Sequence, residues 1–212
     1  MMVLKDIHTH LFPRVKGSAI INTLPTSFVP ESGMWYSVGF HPWYLKEEFS
    51  RMDWELFEEA VVHPQVLAVG EVGLDKLAQA PLTWQMEVFE RQVLYAEHVQ
   101  KPVIIHLVKA VDQLWKIKQQ LRPTVPWIIH GFRGKVQQAD SLVRHGFYLS
   151  CGKKFQEEAL KIIPSDRLFL ETDENDLPIE KLYERVATVR GCSVEEIMEC
   201  IGKNVCAVFF KH

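Results

Sequence analysis

Pro102-Val103-Ile104-Ile105-His106 and, further along, Pro126-Trp127-Ile128-Ile129-His130 follow one pattern: a proline, a run of apolar residues too short for a helix, then a histidine. Such runs, apolar throughout, suit parallel strands buried on both faces. Working outward, similar runs occur at Val3 to Ile7, Ala19 to Thr23, Trp35 to Phe40, Val66 to Gly70, Phe147 to Ser150 and Leu168 to Leu170. Between them, Trp54-Leu56-Phe57-Ala60-Val61, Val88-Phe89-Gln92-Val93-Ala96, Val111-Leu114-Trp115 and Val136-Ala139-Leu142-Val143 carry the i, i+3, i+4 spacing of helices lying on a sheet. Ser193-x-x-Glu196 reads as a capping box for a last helix.

Strands alternating with helices in this order predict an α/β chain folded as a (β/α)8 TIM-type barrel. That fold takes ~250 residues and is scarce below ~200, so a chain of 212 is expected to be trimmed. The trimming falls early. Few residues separate the first two runs, and Leu24 to Met34, with Pro25 and Pro30, leaves no room for a full helix. A distorted or seven-stranded barrel with early helices missing stays open.

The chain, 47% hydrophobic and 24% charged without a low-complexity linker, reads as one domain spanning residues 1–212. A formal charge of −3 excludes a protein that coats nucleic acid, so any such contact is expected to be weak and local. No long apolar stretch and no leader pattern occur, and the four cysteines form no C-x-x-C pair. A soluble, unprocessed, cytoplasmic protein with reduced thiols is expected, without a membrane partner.

The chemistry gathers where strands are expected to end. His8 and His10 stand two apart after the first run, Glu71 follows Val69-Gly70, His106 and His130 close their runs, and Asp173 follows Leu168-Phe169-Leu170-Glu171-Thr172. Each alone would read as an ordinary hydrogen-bonded or solvated side chain. Five of nine histidines, His41 included, nevertheless fall at such ends. In a parallel barrel these ends share one rim, and four imidazoles with two carboxylates there match the ligands of a two-metal hydrolytic centre. Basic residues follow several strands: Arg14, Lys16, Lys76, Lys109, Arg133, Lys135, Lys153 and Lys154. His41 is a candidate for contacting a phosphate or sugar, or for capping the segment at Pro42. Asp6 is read as a supporting or structural carboxylate, Glu171 as a support for the ligands with a further metal or an oriented water as alternatives, and Cys151, without a base partner, as packing.

Asp6-Ile7-His8-Thr9-His10, Gly39-Phe40-His41-Pro42, Gly70-Glu71-Val72-Gly73-Leu74-Asp75, Pro102 to His106, Ile129-His130-Gly131-Phe132, Glu171-Thr172-Asp173 and Asn204 together resemble the ordered motifs of the TatD family of metal-dependent deoxyribonucleases. The resemblance runs through nearly the whole chain. It implies a barrel hydrolase binding two divalent ions (Zn, Mn or Mg), with His8, His10 and Asp173 on one, His106 and His130 on the other, and Glu71 bridging. It further implies DNA or another phosphodiester as substrate, a metal-bridging hydroxide as nucleophile, Asp173 as proton acceptor, and His41, Lys109 and Arg133 near the substrate. The chain departs from the pattern in three places. Leu11 to Ser37 is short, Leu107-Val108-Lys109 stands where the family has Ser-Arg, and Glu174-Asn175-Asp176 replaces Ala-Pro. Lys109 would supply charge without the bidentate fork of arginine. Two other readings are kept: an amidohydrolase acting on C–N or C–O bonds, and a catalytically silent metal-binding interaction module.

Overall fold

A computed structural model describes residues 4–45 and 47–210. The strands are β1 (Asp6–Thr9), β2 (Ala19–Thr23), β3 (Trp35–Val38), β4 (Val66–Asp75), β5 (Val103–Val108), β6 (Trp127–Ile129), β7 (Tyr148–Cys151) and β8 (Leu168–Leu170). The helices are α1 (Arg51–Val62), α2 (Leu82–His98), α3 (Val111–Leu121), α4 (Val136–Arg144), α5 (Glu157–Ile162), α6 (Ile179–Arg190) and α7 (Val194–Phe209). The strands form one eight-stranded sheet in the order β1 to β8. A parallel bridge between Thr9 and Asp173 links the end of β1 to the segment leaving β8. Such connectivity is that of a (β/α)8 barrel.

All eight expected strands are present, which removes the seven-stranded alternative. The early helices are indeed missing. Among the described residues no helix joins β1 to β2, only a three-residue 3-10 turn (Pro25–Ser27) joins β2 to β3, and α1 is the first full helix. The first strand begins at Asp6; Val3, expected within it, lies outside the described residues. Among the described residues no helix is long and apolar enough to cross a membrane.

The chain forms two compact units, one of Met1–Ile21, Gly33–Trp35 and Ile128–His212, the other of Asn22–Ser32 and Tyr36–Trp127. In the first, Ile7, Leu149 and Phe169 are fully buried strand residues, and Leu182, Val186, Ile201 and Val205 bury the apolar faces of α6 and α7. Phe169 meets Phe209 edge-on. Asn204 on α7 donates from Nδ2 to the carbonyls of Ser165 (2.7 Å) and Leu168 (2.9 Å), pinning the start of β8. The expected capping box opens α7: Ser193 Oγ accepts from the Glu196 N–H at 3.1 Å, and the Ser193 N–H donates to Glu196 Oε2 at 2.7 Å.

In the second unit Val69, Val72, Leu74, Val103, Ile104 and Ile105 are fully buried, and Phe57, Val61, Phe89 and Val93 cover them from α1 and α2. Phe40, Phe49, Trp54 and Phe57 pack ring against ring. Buried Gln92 holds the chain just before His41: its Oε1 accepts from the Phe40 N–H at 2.7 Å and its Nε2 donates to the Phe40 carbonyl at 3.3 Å. β4 and β5 outrun their expected ends at Gly70 and Ile105 and stay paired as far as Asp75 with Val108. Gly73 permits this, because a Cβ there would lie 2.0 Å from the His106 carbonyl oxygen. Glu71 and His106, expected at strand ends, therefore stand inside strands.

Candidate metal centre

Ligand-type side chains gather within each unit. In the first unit β1 delivers His8 and the residues after it deliver His10, while the segment leaving β8 delivers Glu171 and Asp173. Two backbone hydrogen bonds lock these segments together: the Asp173 N–H donates to the His8 carbonyl and the His10 N–H to the Asp173 carbonyl, both at 3.0 Å. Asp173 holds a left-handed backbone, φ 56°. Aspartate tolerates this region at a cost, and such outliers cluster at functional sites. Its Oδ1 lies 3.8 Å from His8 Nε2 and 3.6 Å from His10 Nε2.

Two buried carboxylates stand behind this group. Asp6 Oδ1 accepts from the N–H groups of His8 (3.2 Å) and Thr172 (3.1 Å), and Oδ2 from the Thr172 hydroxyl at 2.6 Å. Burial pushes the Asp6 carboxyl up to about 7, although those hydrogen bonds pull it down. Glu171, fully buried, accepts through Oε1 from the Gly131 N–H at 2.5 Å, and the same oxygen lies 3.3 Å from His130 Nδ1. Its Oε2 is buried without a hydrogen-bond partner among the described residues. One carboxylate thus sets the orientation of the His130 ring, the arrangement that commonly stands behind a metal-bound histidine.

In the second unit the alternation Glu71-Val72-Gly73-Leu74-Asp75 puts Val72 and Leu74 into the core and the two acids on the other face. His106 on β5 pairs with Gly73. Its ring sits between the acids, Nδ1 at 2.8 Å from Glu71 Oε1 and Nε2 at 3.2 Å from Asp75 Oδ2. His41 Nε2 approaches Glu71 Oε1 at 3.1 Å. His41 also caps a 3-10 turn, Pro42–Tyr44, its Nδ1 accepting from the Trp43 N–H at 3.1 Å. The capping reading of His41 is therefore met through Nδ1, and its Nε2 faces the acid cluster. Asp75 further accepts from the Trp43 indole N–H at 2.7 Å and the Leu77 N–H at 2.7 Å. Burial alone would raise the Asp75 carboxyl, but hydrogen bonds from Trp43, Leu77 and His106 outweigh it and hold it below the ordinary carboxylate range.

The donors suit a divalent ion. One ligand atom each from His8, His130 and Asp173 lie within 4.8 Å of one another, as do those of His41, Glu71 and His106. Small side-chain rotations would bring either set to the ~2.0–2.2 Å bonds that imidazole and carboxylate make to zinc-like ions. His130, which the family resemblance pairs with His106, keeps company with His8 and Asp173 within the first unit.

Residues 26–210 match the model of the TatD related DNase family. The chain belongs to the TatD-related DNase family. Over 195 residues, 82% of this chain and 76% of the relative, it is 30% identical to an uncharacterized metal-dependent hydrolase, YabD, of Bacillus subtilis. It is 26% identical over 152 residues, 67% of this chain and 58% of the relative, to the 3'-5' ssDNA/RNA exonuclease TatD of Escherichia coli. The fold matches the crystal structure of the TatD homologue YjjV of Escherichia coli with a TM-score of 0.83 at 21% identity, covering 100% of both chains. The TatD-family chain described here is a metal-dependent hydrolase with a barrel fold.

The remaining expected residues fall as follows. Arg133, Lys153 and Lys154 are exposed and line a cleft in the first unit with Asp173, Thr172, Glu171 and Asn175. Lys109 is exposed directly after β5 with φ 56°. Cys151 is buried, and burial pushes its thiol well above the ordinary range, as befits packing. The motif residue Asn204 serves the start of β8 and not the ligands. Asp75 and Trp43 escaped sequence reasoning as contributors. The signal for Asp75 was its place four residues after Glu71, on the same strand face by alternation; Trp43 carried none.

Proposed function

We propose that this TatD-family chain is a metal-dependent exonuclease that shortens single-stranded or frayed DNA from an end. The observation that carries this reading is the cleft of the first unit, where the ligand-type acid Asp173 lies among Arg133, Lys153 and Lys154. Three cations beside the metal-binding acids provide for a phosphate chain, on a protein whose formal net charge is −3. Binding is therefore weak, confined to the cleft and weaker as salt rises.

His8, His10, Asp173 and His130 would hold one divalent ion, and Glu71, His106 and His41 another, with Glu71 as the shared carboxylate that the family resemblance assigns. The ions, Zn, Mn or Mg, would polarise the phosphoryl oxygens and lower the pKa of water. Asp173 Oδ1, facing His8 and His10, takes the proton of the attacking water. Glu171 holds His130 by its Nδ1 and leaves Nε2 for ligation. Asp75 does the same for His106 from the Nε2 side and directs Nδ1 toward Glu71, where it would be available to an ion. Lys109 and Arg133 neutralise flanking phosphates. We treat residues 1–212 as one hydrolase domain, the family match running through both units, and place it in the reducing cytoplasm, where its free cysteines stay reduced.

The test compares linear single-stranded, linear duplex and covalently closed single-stranded circular DNA under Mg, Mn or Zn, with Asp173→Asn as the control against contaminating nucleases. Linear single strands are expected to be degraded fastest and circles spared. Equal cutting of circles overturns the end-directed habit, and no cutting with any metal overturns the nuclease.

A further inference from the structure

Trp43 has no part yet in this scheme. Of the chain's six tryptophans it is the exposed one, 60% open to solvent, and its neighbour Tyr44 is 62% open. Scattered apolar residues on a surface need no explanation, but these two belong to the turn that His41 caps, beside the acid and histidine cluster of the second unit. Leu77, 67% open, joins them through Asp75, whose Oδ1 takes the Leu77 N–H while Oδ2 takes the Trp43 indole N–H. The Trp43 ring centroid lies 5.9 Å from that of His106, and the Tyr44 ring 5.6 Å from that of His41. The result is an apolar rim on the ligand-bearing acids.

The indole is also held in place. Its backbone N–H is bonded to His41 Nδ1 at 3.1 Å and its ring N–H to Asp75 Oδ2 at 2.7 Å, so two fixed points set the ring while its face stays in water. Side chains ordered in advance lose little entropy when something docks on them. The fixed, exposed π-face beside a phosphoryl-transfer cluster is complementary to a nucleobase. Stacking tolerates any base, but it needs a base whose own face is open, which a duplex interior does not offer.

We propose that Trp43, with Tyr44 beside it, is a base-stacking platform that receives an unpaired nucleobase of the substrate while Asp75 fixes the indole edge. This inference rests on the nuclease reading and adds to it a residue that selects single strands. Trp43 acts on binding through its ring and on His106 through Asp75, and these two actions separate in kinetics.

The experiment uses the full-length, Mn-loaded protein and two short single-stranded oligonucleotides of equal length, one normal and one with every base replaced by an abasic residue. Base stacking of ~1–3 kcal/mol converts to roughly 5- to 150-fold in affinity. Trp43→Leu is expected to raise KM for the normal strand by that factor and to leave KM for the abasic strand unchanged. Trp43→Phe, which keeps a π-face and loses the N–H, is expected to keep KM within a few-fold and to lower kcat. Without turnover, in EDTA, the normal strand is expected to quench tryptophan fluorescence more than the abasic strand, and Trp43→Phe to abolish the difference. Equal KM effects on both strands, or a loss in Trp43→Leu confined to kcat, overturns the platform while leaving the nuclease standing. A wild type that cleaves the normal strand with the same KM as the abasic one does likewise. Failure of the wild type to cleave either strand overturns the nuclease reading and the platform with it.

Discussion

Glu171→Gln is nearly isosteric, yet it should separate folding from metal binding. In the wild type Oε1 serves the Gly131 N–H at 2.5 Å and His130 Nδ1 at 3.3 Å, while Oε2 is buried without a hydrogen-bond partner among the described residues. Glutamine keeps one acceptor oxygen and turns the other into a donor. It can still serve Gly131, but it loses the charge-assisted contact that orients His130, and such contacts contribute ~1.5–3 kcal/mol. If that loss falls on ligation, affinity of the His8, His130 and Asp173 group drops roughly 10- to 150-fold, which overlaps the ~10–100-fold seen when residues behind metal ligands are changed. Folding of the metal-free protein should move the other way or not at all, because a buried carboxylate oxygen without a partner is costly and the amide carries no charge. Competition with a chromophoric chelator reads the affinity, and urea denaturation in EDTA reads the stability. A metal affinity within twofold of wild type would refute the positioning role. A metal-free protein destabilised by more than ~2 kcal/mol would show that Glu171 serves the fold instead.

Gly73→Ala should cost at least ~3 kcal/mol, since its Cβ would stand 2.0 Å from a backbone oxygen and only a break in the β4–β5 pairing relieves that contact; urea denaturation and soluble yield check it. Asn204→Ala, which removes the amide donor shared by the carbonyls of Ser165 and Leu168, should cost ~1–3 kcal/mol, a Tm drop of several degrees by calorimetry, while metal stoichiometry stays unchanged. Asp75→Asn, made beside both Trp43 Nε1 and His106 Nε2, should weaken metal affinity at the His41, Glu71 and His106 group by ~10–100-fold in the same chelator competition and leave the circular dichroism spectrum intact.

Periodicity and residue type made most of the fold legible, and what escaped did so for physical reasons. Apolar runs closed by histidine mark β5 and β6 because parallel strands buried on both faces have no polar alternation to disguise them. β4 runs past its expected end at Gly70, because Gly73 lets β5 approach closely enough to continue the pairing. Helix α5 has six residues, too few for a periodic pattern, and so went unread. Helix α6 was legible in principle from Pro178 before it and Gly191 after it, the latter in the left-handed conformation that ends helices. At the site, histidines and acids on or just after strands were visible because chemistry restricts the residue types. Trp43 was hidden because its role comes from which atoms face it, and no one-dimensional spacing encodes the indole N–H on Asp75 Oδ2.

Metal content tests the account most directly. Purified protein stripped with chelator and reloaded with excess Mn or Zn, then desalted and measured by plasma emission, should carry two ions per chain in the wild type. Glu71→Gln should lose occupancy of both, and His106→Ala should retain one. A wild-type value of zero or one, with circular dichroism showing the fold intact, would contradict the two-ion hydrolytic centre.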